Sequence, residues 1–272
     1  MKRRRQRRNN GLLAYALFYL AFLYVPVLFL PLFSFNDSAF IAFPLTRFTL
    51  RWYREMFSDH AMGAALANSL KVGAAVAIIS TLLGLAGARA LTRYRVPGGG
   101  AALGFVSLPL FIPDIVLGIS LLILVNLVAI PLSLLTVIAG HIVVCVPFAI
   151  AVLMSRLEGF DRGLEEASRD LGEGAWMTFV RVILPLALPG IVASLLLTFI
   201  VSFDEFLIAY FLAGTDATLP IYIWGELRFP QKLPVVLALG ASILIVTAAL
   251  VVLAEWLRSL GAPRTKAIAV GA

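Results

Sequence analysis

Residues 154–191 read MSRLEGFDRGLEEASRDLGEGAWMTFVRVILPLALPGI. Nine residues from Arg156 to Glu173 are charged: Arg156, Glu158, Asp161, Arg162, Glu165, Glu166, Arg169, Asp170 and Glu173. Long apolar runs flank them on both sides. A centrally placed charge in hydrocarbon costs at least about 2.5–3.5 kcal/mol, so this stretch belongs in water, between two membrane spans. It has helical order. Leu164, Ala167, Ser168 and Leu171 fall at i, i+3, i+4 and i+7 on one helix face. Arg162–Glu166 and Glu165–Arg169 are i,i+4 pairs of opposite charge, and Asp161 is placed to cap the start. Gly172 and Gly174 interrupt the pattern where a sharp turn fits. A second face follows in Trp176, Phe179, Val180 and Ile183, and Pro185 and Pro189 should end it. The expectation is a knob of two short amphipathic helices joined at a glycine.

Working outward, the 272 residues are 61% hydrophobic and 14% charged, against about 25% charged in soluble domains. This composition predicts an all-α integral membrane protein, a single domain over 1–272. Six spans are read at about 12–33, 69–91, 101–124, 132–154, 190–212 and 234–257. The third is interrupted by Pro109 and Pro113. Between the first two lies a polar segment with Arg47, Arg51, Trp52, Tyr53 and Arg54, read as a short surface helix with aromatic residues at the interface. Ser80, Gly84 and Ala88 form a small-residue ridge in span two, suited to close packing. The first apolar run is too long for a cleaved secretion signal and is read as retained.

The net charge of +7 does not indicate nucleic acid, because Lys2, Arg3, Arg4, Arg5, Arg7 and Arg8 cluster directly ahead of span one. With this topology sixteen of the 22 basic residues lie on the side of both termini and the 155–189 loop, and six on the other. That asymmetry puts the termini and the loop in the cytoplasm. The lone Cys145 excludes a disulfide within the chain. No P-loop, HExxH or GxSxG pattern occurs, so the chain lacks the means to hydrolyse ATP and no enzyme chemistry converges. Of the two histidines, His60 and His141, the second sits within a span, where a hydrogen-bonded packing role outweighs a proton relay.

The loop then carries a resemblance. Glu166-Ala167-Ser168, three residues, Gly172, nine residues, Val182, one residue and Leu184-Pro185 match in every spacing the EAA loop of permease subunits of binding-protein-dependent ABC importers (type I, MetI-like fold). Ser168 and Val182 are small departures. The resemblance implies a six-transmembrane-helix permease fold with a cytoplasmic coupling helix that docks on an ATP-binding subunit. Glu166, Ala167, Ser168, Gly172, Leu184 and Pro185 become the candidate coupling residues.

Three further stretches, Phe111–Ser120, Ser155–Asp161 and Ser202-Phe203-Asp204-Glu205, are similar to the spermidine/putrescine (PotC-type) branch of that family. Pro230-Gln231-Lys232 departs from it, with an acid missing and a lysine present. By resemblance the partners are a second homologous permease (PotB-like), two ATP-binding subunits and a solute-binding protein at the outer face of a bacterial inner membrane. No cofactor is expected in this chain, ATP and magnesium being used by the partner ATPase. The expected cargo is a small cation such as spermidine or putrescine. An amino-acid-like or opine-like solute is the alternative, and a secondary transporter a lesser one.

Asp114 and Asp204 fall inside spans three and five at similar reckoned depth, and intramembrane acids usually face a bundle interior or a wet cavity. With Glu205 they are the candidate path residues for a cation. A structural role competes for each: Asp114 bonding backbone freed by Pro113, Asp204 fixing helix packing. Tyr210, Tyr222 and Trp224 lie further out, as cation–π contacts or, more simply, as interface anchors.

Overall fold

The computed structural model describes residues 2–261 except 39, 95 and 162, with side chains described over 11–249. The helices begin with α1 (Lys2–Ser34), α2 (Arg51–Ser58), α3 (His60–Arg93), α4 (Gly99–Ser107), α5 (Asp114–Leu127) and α6 (Leu134–Leu157). They continue with α7 (Gly163–Asp170), α8 (Ala175–Thr178), α9 (Leu184–Asp204), α10 (Leu207–Leu212), α11 (Leu219–Glu226) and α12 (Leu233–Gly261). Five helical stretches are long and apolar enough to cross a membrane, and the bent pair α4/α5, taken as one span, makes six. Among the described residues the only strand-like pairing is an isolated bridge between Asn36 and Phe48. The Arg162–Glu166 pair, the side chains of the basic N-terminal run and the tail beyond residue 261 lie outside the described residues.

Two compact units form, Met1–Asp59 with Gly225–Ala272, and His60–Trp224. In the first, α1 and α2 both pack on α12. The segment between α1 and α2 is pinned by polar bonds rather than left loose. Trp52 Nε1 donates to Asn36 O at 2.8 Å, Thr46 N donates to Asn36 Oδ1 at 2.8 Å, and Ser34 Oγ lies 2.7 Å from Tyr53 OH. Trp52 is therefore buried, which corrects its reading as an interface residue: its indole N–H finds an internal acceptor. Arg51 stays exposed, and its hydrogen bond to Glu55 at 2.9 Å raises the guanidinium pKa above its ordinary value.

The second unit is a bundle of α3, α6 and α9 with α5 and α10 packed at one end. The small-residue ridge does what its spacing predicts. Ser80 and Ala88 are fully buried, and a Cβ on Gly84 would sit 2.5 Å from Ala149 Cβ, so the backbones of α3 and α6 are in near contact. Hydroxyl bonds cross the bundle: Thr81 to Ser194 at 3.0 Å, and Thr136 Oγ1 to Leu212 O at 2.7 Å.

Three boundaries differ from the sequence reading. Span two starts at His60, nine residues earlier than read, because the polar segment ends at Asp59. The third span is folded at Ile112–Pro113 by 105°, so counting rise along a straight rod does not give the depth of Asp114. Pro185 and Pro189 do not stop the second loop helix. Residues 175–204 are one continuous stretch. A widened turn over Phe179–Ile183, in which Leu184 N–H reaches Phe179 O, opens the helix just ahead of Pro185 and absorbs the missing donor. Span five then ends at Asp204, not Leu212. The chain breaks at Glu205–Phe206 before α10.

Candidate functional site

The loop knob is built by α7, a turn and α8. Asp161 Oδ1 accepts the Gly163 N–H at 2.9 Å, the capping role its position predicts. At the other end Gly172 has φ +90°. Its N–H bonds Arg169 O at 2.9 Å, and Glu173 N–H bonds Ser168 O at 3.2 Å, which together form a Schellman stop. Ser168, the residue that departs from the EAA pattern, is buried, and its hydroxyl lies 3.1 Å from Thr178 Oγ1, tying α7 to α8. Glu173 pairs with Arg181.

Glu165 pairs with Arg93 at the end of α3, Nε to Oε1 at 2.7 Å with both side chains nearly buried, in place of Arg169. Sequence spacing could not show this partner, which lies 72 positions away. These ties hold α7 in one pose. Three large apolar side chains of the knob are exposed, Leu164 at 47%, Leu171 at 86% and Trp176 on α8 at 73%, with the charged Arg169 and Asp170 also at the surface. Glu166 and Ala167 are exposed beside them, and the Glu166 carboxylate makes no bond among the described residues. Leu184 and Pro185 stand apart from α7, in the first turn of α9.

The second cluster lies where the third and fifth spans are both broken. A Cβ on Gly118 would meet Phe211 Cδ2 at 2.7 Å and Ile208 Cα at 3.5 Å. The half-helices α5 and α10 therefore touch along their backbones. Asp114 lies one turn before Gly118, and Asp204 one turn before Ile208. Asp114 is the first residue of α5 and Asp204 the last residue of α9; both are exposed, and neither carboxylate makes a hydrogen bond or ion pair among the described residues. Neither structural role weighed from the sequence is seen. The Asp114 carboxylate caps no backbone group, the Val116 and Leu117 N–H groups going to Pro113 O, and Asp204 does not tie helices together.

Glu205 behaves differently. Its Oε1 accepts Ile208 N–H and its Oε2 accepts Ala209 N–H, each at 3.0 Å, and Oε2 lies 3.2 Å from His141 Nε2. His141 is buried, with Nδ1 2.8 Å from Ser202 Oγ.

Tyr210 and Trp224 are joined by a residue the sequence reading passed over. Phe206, next to Glu205, packs on Tyr210 at 5.5 Å and on Trp224 at 5.4 Å between ring centroids. In the sequence Phe206 was one apolar residue among many in a span. Tyr222 is half-buried on α11. Among the described residues no group of three or more His, Cys, Asp or Glu is placed to hold a metal ion.

The family model described as "Binding-protein-dependent transport system inner membrane component" matches residues 80–267. The chain is 35% identical over 236 residues to the spermidine/putrescine transport system permease protein PotC of Escherichia coli (strain K12), covering 86% of this chain and 89% of that one. It is 34% identical over 215 residues to the putrescine transport system permease protein PotI of the same strain, covering 76% of each. Among solved structures, a chain of a bacterial ABC transporter involved in the import of the acidic polysaccharide alginate superposes with a TM-score of 0.73. That match covers 93% of this chain and 98% of the other at 17% identity, a likeness of fold alone.

Proposed function

This chain belongs to the family of binding-protein-dependent transport system inner membrane components, and on that premise we propose that it is the permease subunit of an ATP-driven importer for a small polycation, spermidine or putrescine. The observation that carries the cargo reading is the pair of exposed carboxylates, Asp114 at the start of α5 and Asp204 at the end of α9, beside the breaks in the third and fifth spans. Asp114 offsets the positive end of the α5 dipole, and Asp204 adds to the negative end of α9. With no hydrogen bond or ion pair among the described residues, they are available to a passing ammonium group, and Phe206, with Tyr210 and Trp224 packed on it, lies two residues from Asp204. The similarity to PotC and PotI supports the same cargo class.

The chain itself performs no hydrolysis. The α7 knob faces the cytoplasm with both termini and seats in a groove of an ATP-binding subunit, Leu164, Leu171 and Trp176 supplying the buried contact and Glu166 the polar one. Two such subunits close on ATP, with magnesium, and draw this knob toward that of a second homologous permease. The ties from α7 to Arg93 and Thr178 pass that motion directly to α3 and the α8–α9 helix. A solute-binding protein delivers cargo at the opposite face, into the paths that α5 and α10 line.

The test is uptake of labelled spermidine and putrescine by the assembled transporter carrying Asp114→Asn or Asp204→Asn, near-isosteric changes that remove charge. Each should lose one charge-assisted contact of about 1.5–3 kcal/mol, a rise in KM of roughly tenfold to a hundredfold. Wild-type KM in both variants refutes the cargo reading.

A further inference from the structure

Asp204 and Glu205 are adjacent acids, yet the structure gives them different work. We infer that Glu205 is a positioning residue that sets the aim of Asp204, and that the cargo does not touch it. The inference rests on the cation reading above.

A backbone break inside a membrane span leaves N–H groups that no water can satisfy. At the Glu205–Phe206 break those groups belong to the head of α10, and the two Glu205 oxygens take Ile208 N–H and Ala209 N–H at 3.0 Å each. The side chain stands in for the turn of helix that is missing. Its position is fixed in turn from α6. His141 Nε2 lies 3.2 Å from Glu205 Oε2, and His141 Nδ1 lies 2.8 Å from Ser202 Oγ on α9. His141 thus stands between Ser202 and Glu205, with one ring nitrogen toward each. The chain of bonds runs from α9 through α6 to α10 and spans the break.

Exposure divides the two acids the same way. The Glu205 side chain is 13% exposed and that of His141 1%, whereas Asp204 is exposed and bare. Asp204 is also the last residue of α9, so its direction is set by the break that Glu205 holds. A carboxylate already accepting from two backbone N–H groups and faced by His141 is a poor ligand for an ammonium group; its neighbour, with no bond among the described residues, is a good one.

The test is a double-mutant cycle on the assembled transporter in proteoliposomes, reading KM for spermidine and putrescine. Glu205→Gln leaves an amide NH2 facing a backbone N–H and should raise KM about tenfold. His141→Gln should do the same through Glu205. In the Asp204→Asn background both should add less than twofold, because they act through Asp204. Glu205→Asp, one methylene shorter, should recover part of the loss. Effects that multiply with Asp204→Asn would mean that Glu205 contacts the cargo, and an unchanged KM in Glu205→Gln would mean that it positions nothing; either overturns the inference.

A second readout does not depend on the cargo. In a Cys145→Ser background, Asp204→Cys is labelled with a cationic thiol reagent, and His141→Gln or Glu205→Gln should change the rate at least fivefold. Should Glu205→Gln fail to assemble, His141→Gln and Glu205→Asp carry both readouts. Wild type that takes up neither cation defeats the cargo reading alone, and the labelling rate then decides the role of Glu205, an unchanged rate overturning it.

Discussion

Gly172→Val should uncouple the transporter without unfolding it, and the structure says by how much. Gly172 sits at φ +90°, where an L side chain costs about 1–2 kcal/mol and a β-branched one more. A Cβ built there meets nothing within 4 Å. Crowding by neighbours therefore adds nothing, and the whole penalty is backbone strain. Two hydrogen bonds close the turn, from Gly172 N–H to Arg169 O and from Glu173 N–H to Ser168 O. Valine relieves its strain by giving them up, and α7 then loses the pose in which Leu164, Leu171 and Trp176 face outward together. A penalty of about 2 kcal/mol lowers the population of the docking pose roughly thirtyfold. Gly172→Ala should lie near 1 kcal/mol, roughly fivefold. Gly172→Asn should stay close to wild type, since asparagine visits the left-handed region readily. The assay is co-purification of the ATP-binding subunit with the permease at matched membrane-inserted levels, together with uptake. The order Gly, Asn, Ala, Val is the signature. Wild-type coupling in the valine variant, or an asparagine variant as poor as valine, would refute the reasoning.

Two other outcomes follow from the same loop. Glu165→Leu leaves Arg93 nearly buried and unpaired, which should cost about 3–5 kcal/mol, whereas Arg93→Met with Glu165→Leu should recover most of it; the check is resistance of the membrane-inserted protein to thermal aggregation, and a double variant no better than the single would show that the pair is not what holds α7 to α3. For orientation, Thr215→Cys in a Cys145→Ser background should react with an impermeant thiol reagent in whole cells, and Arg162→Cys only after permeabilisation; reversed labelling overturns the cytoplasmic placement of α7.

The apolar runs, the charged interruption at 156–173 and the prolines are properties of the chain read in order. They were enough to predict an all-helical membrane protein with six crossings and a knob stopped at Gly172, because hydrophobic length and left-handed glycine are local facts. The EAA spacing is local too, and the family followed from it. Pro185 shows where local reading ends. A proline normally stops a helix, but here a widened turn supported by packing on Thr178 and Ile183, both buried, carries the helix past it.

The Asp161 cap apart, the partners of the charged residues were not legible. Glu165 had an acceptable partner four residues along, in Arg169, and took Arg93 instead, because an exposed i,i+4 pair contributes only tenths of a kcal/mol, while a nearly buried arginine left unpaired costs several. The same holds at the break in span five. Asp204 and Glu205 are chemically alike in sequence, and nothing local separates them. Only the folded chain brings His141, Ser202 and two orphaned N–H groups to one carboxylate and none to the other. Which of two neighbouring acids is spent on the backbone and which is left for a ligand depends on where the helices break and what packs against the break, and that is decided in three dimensions.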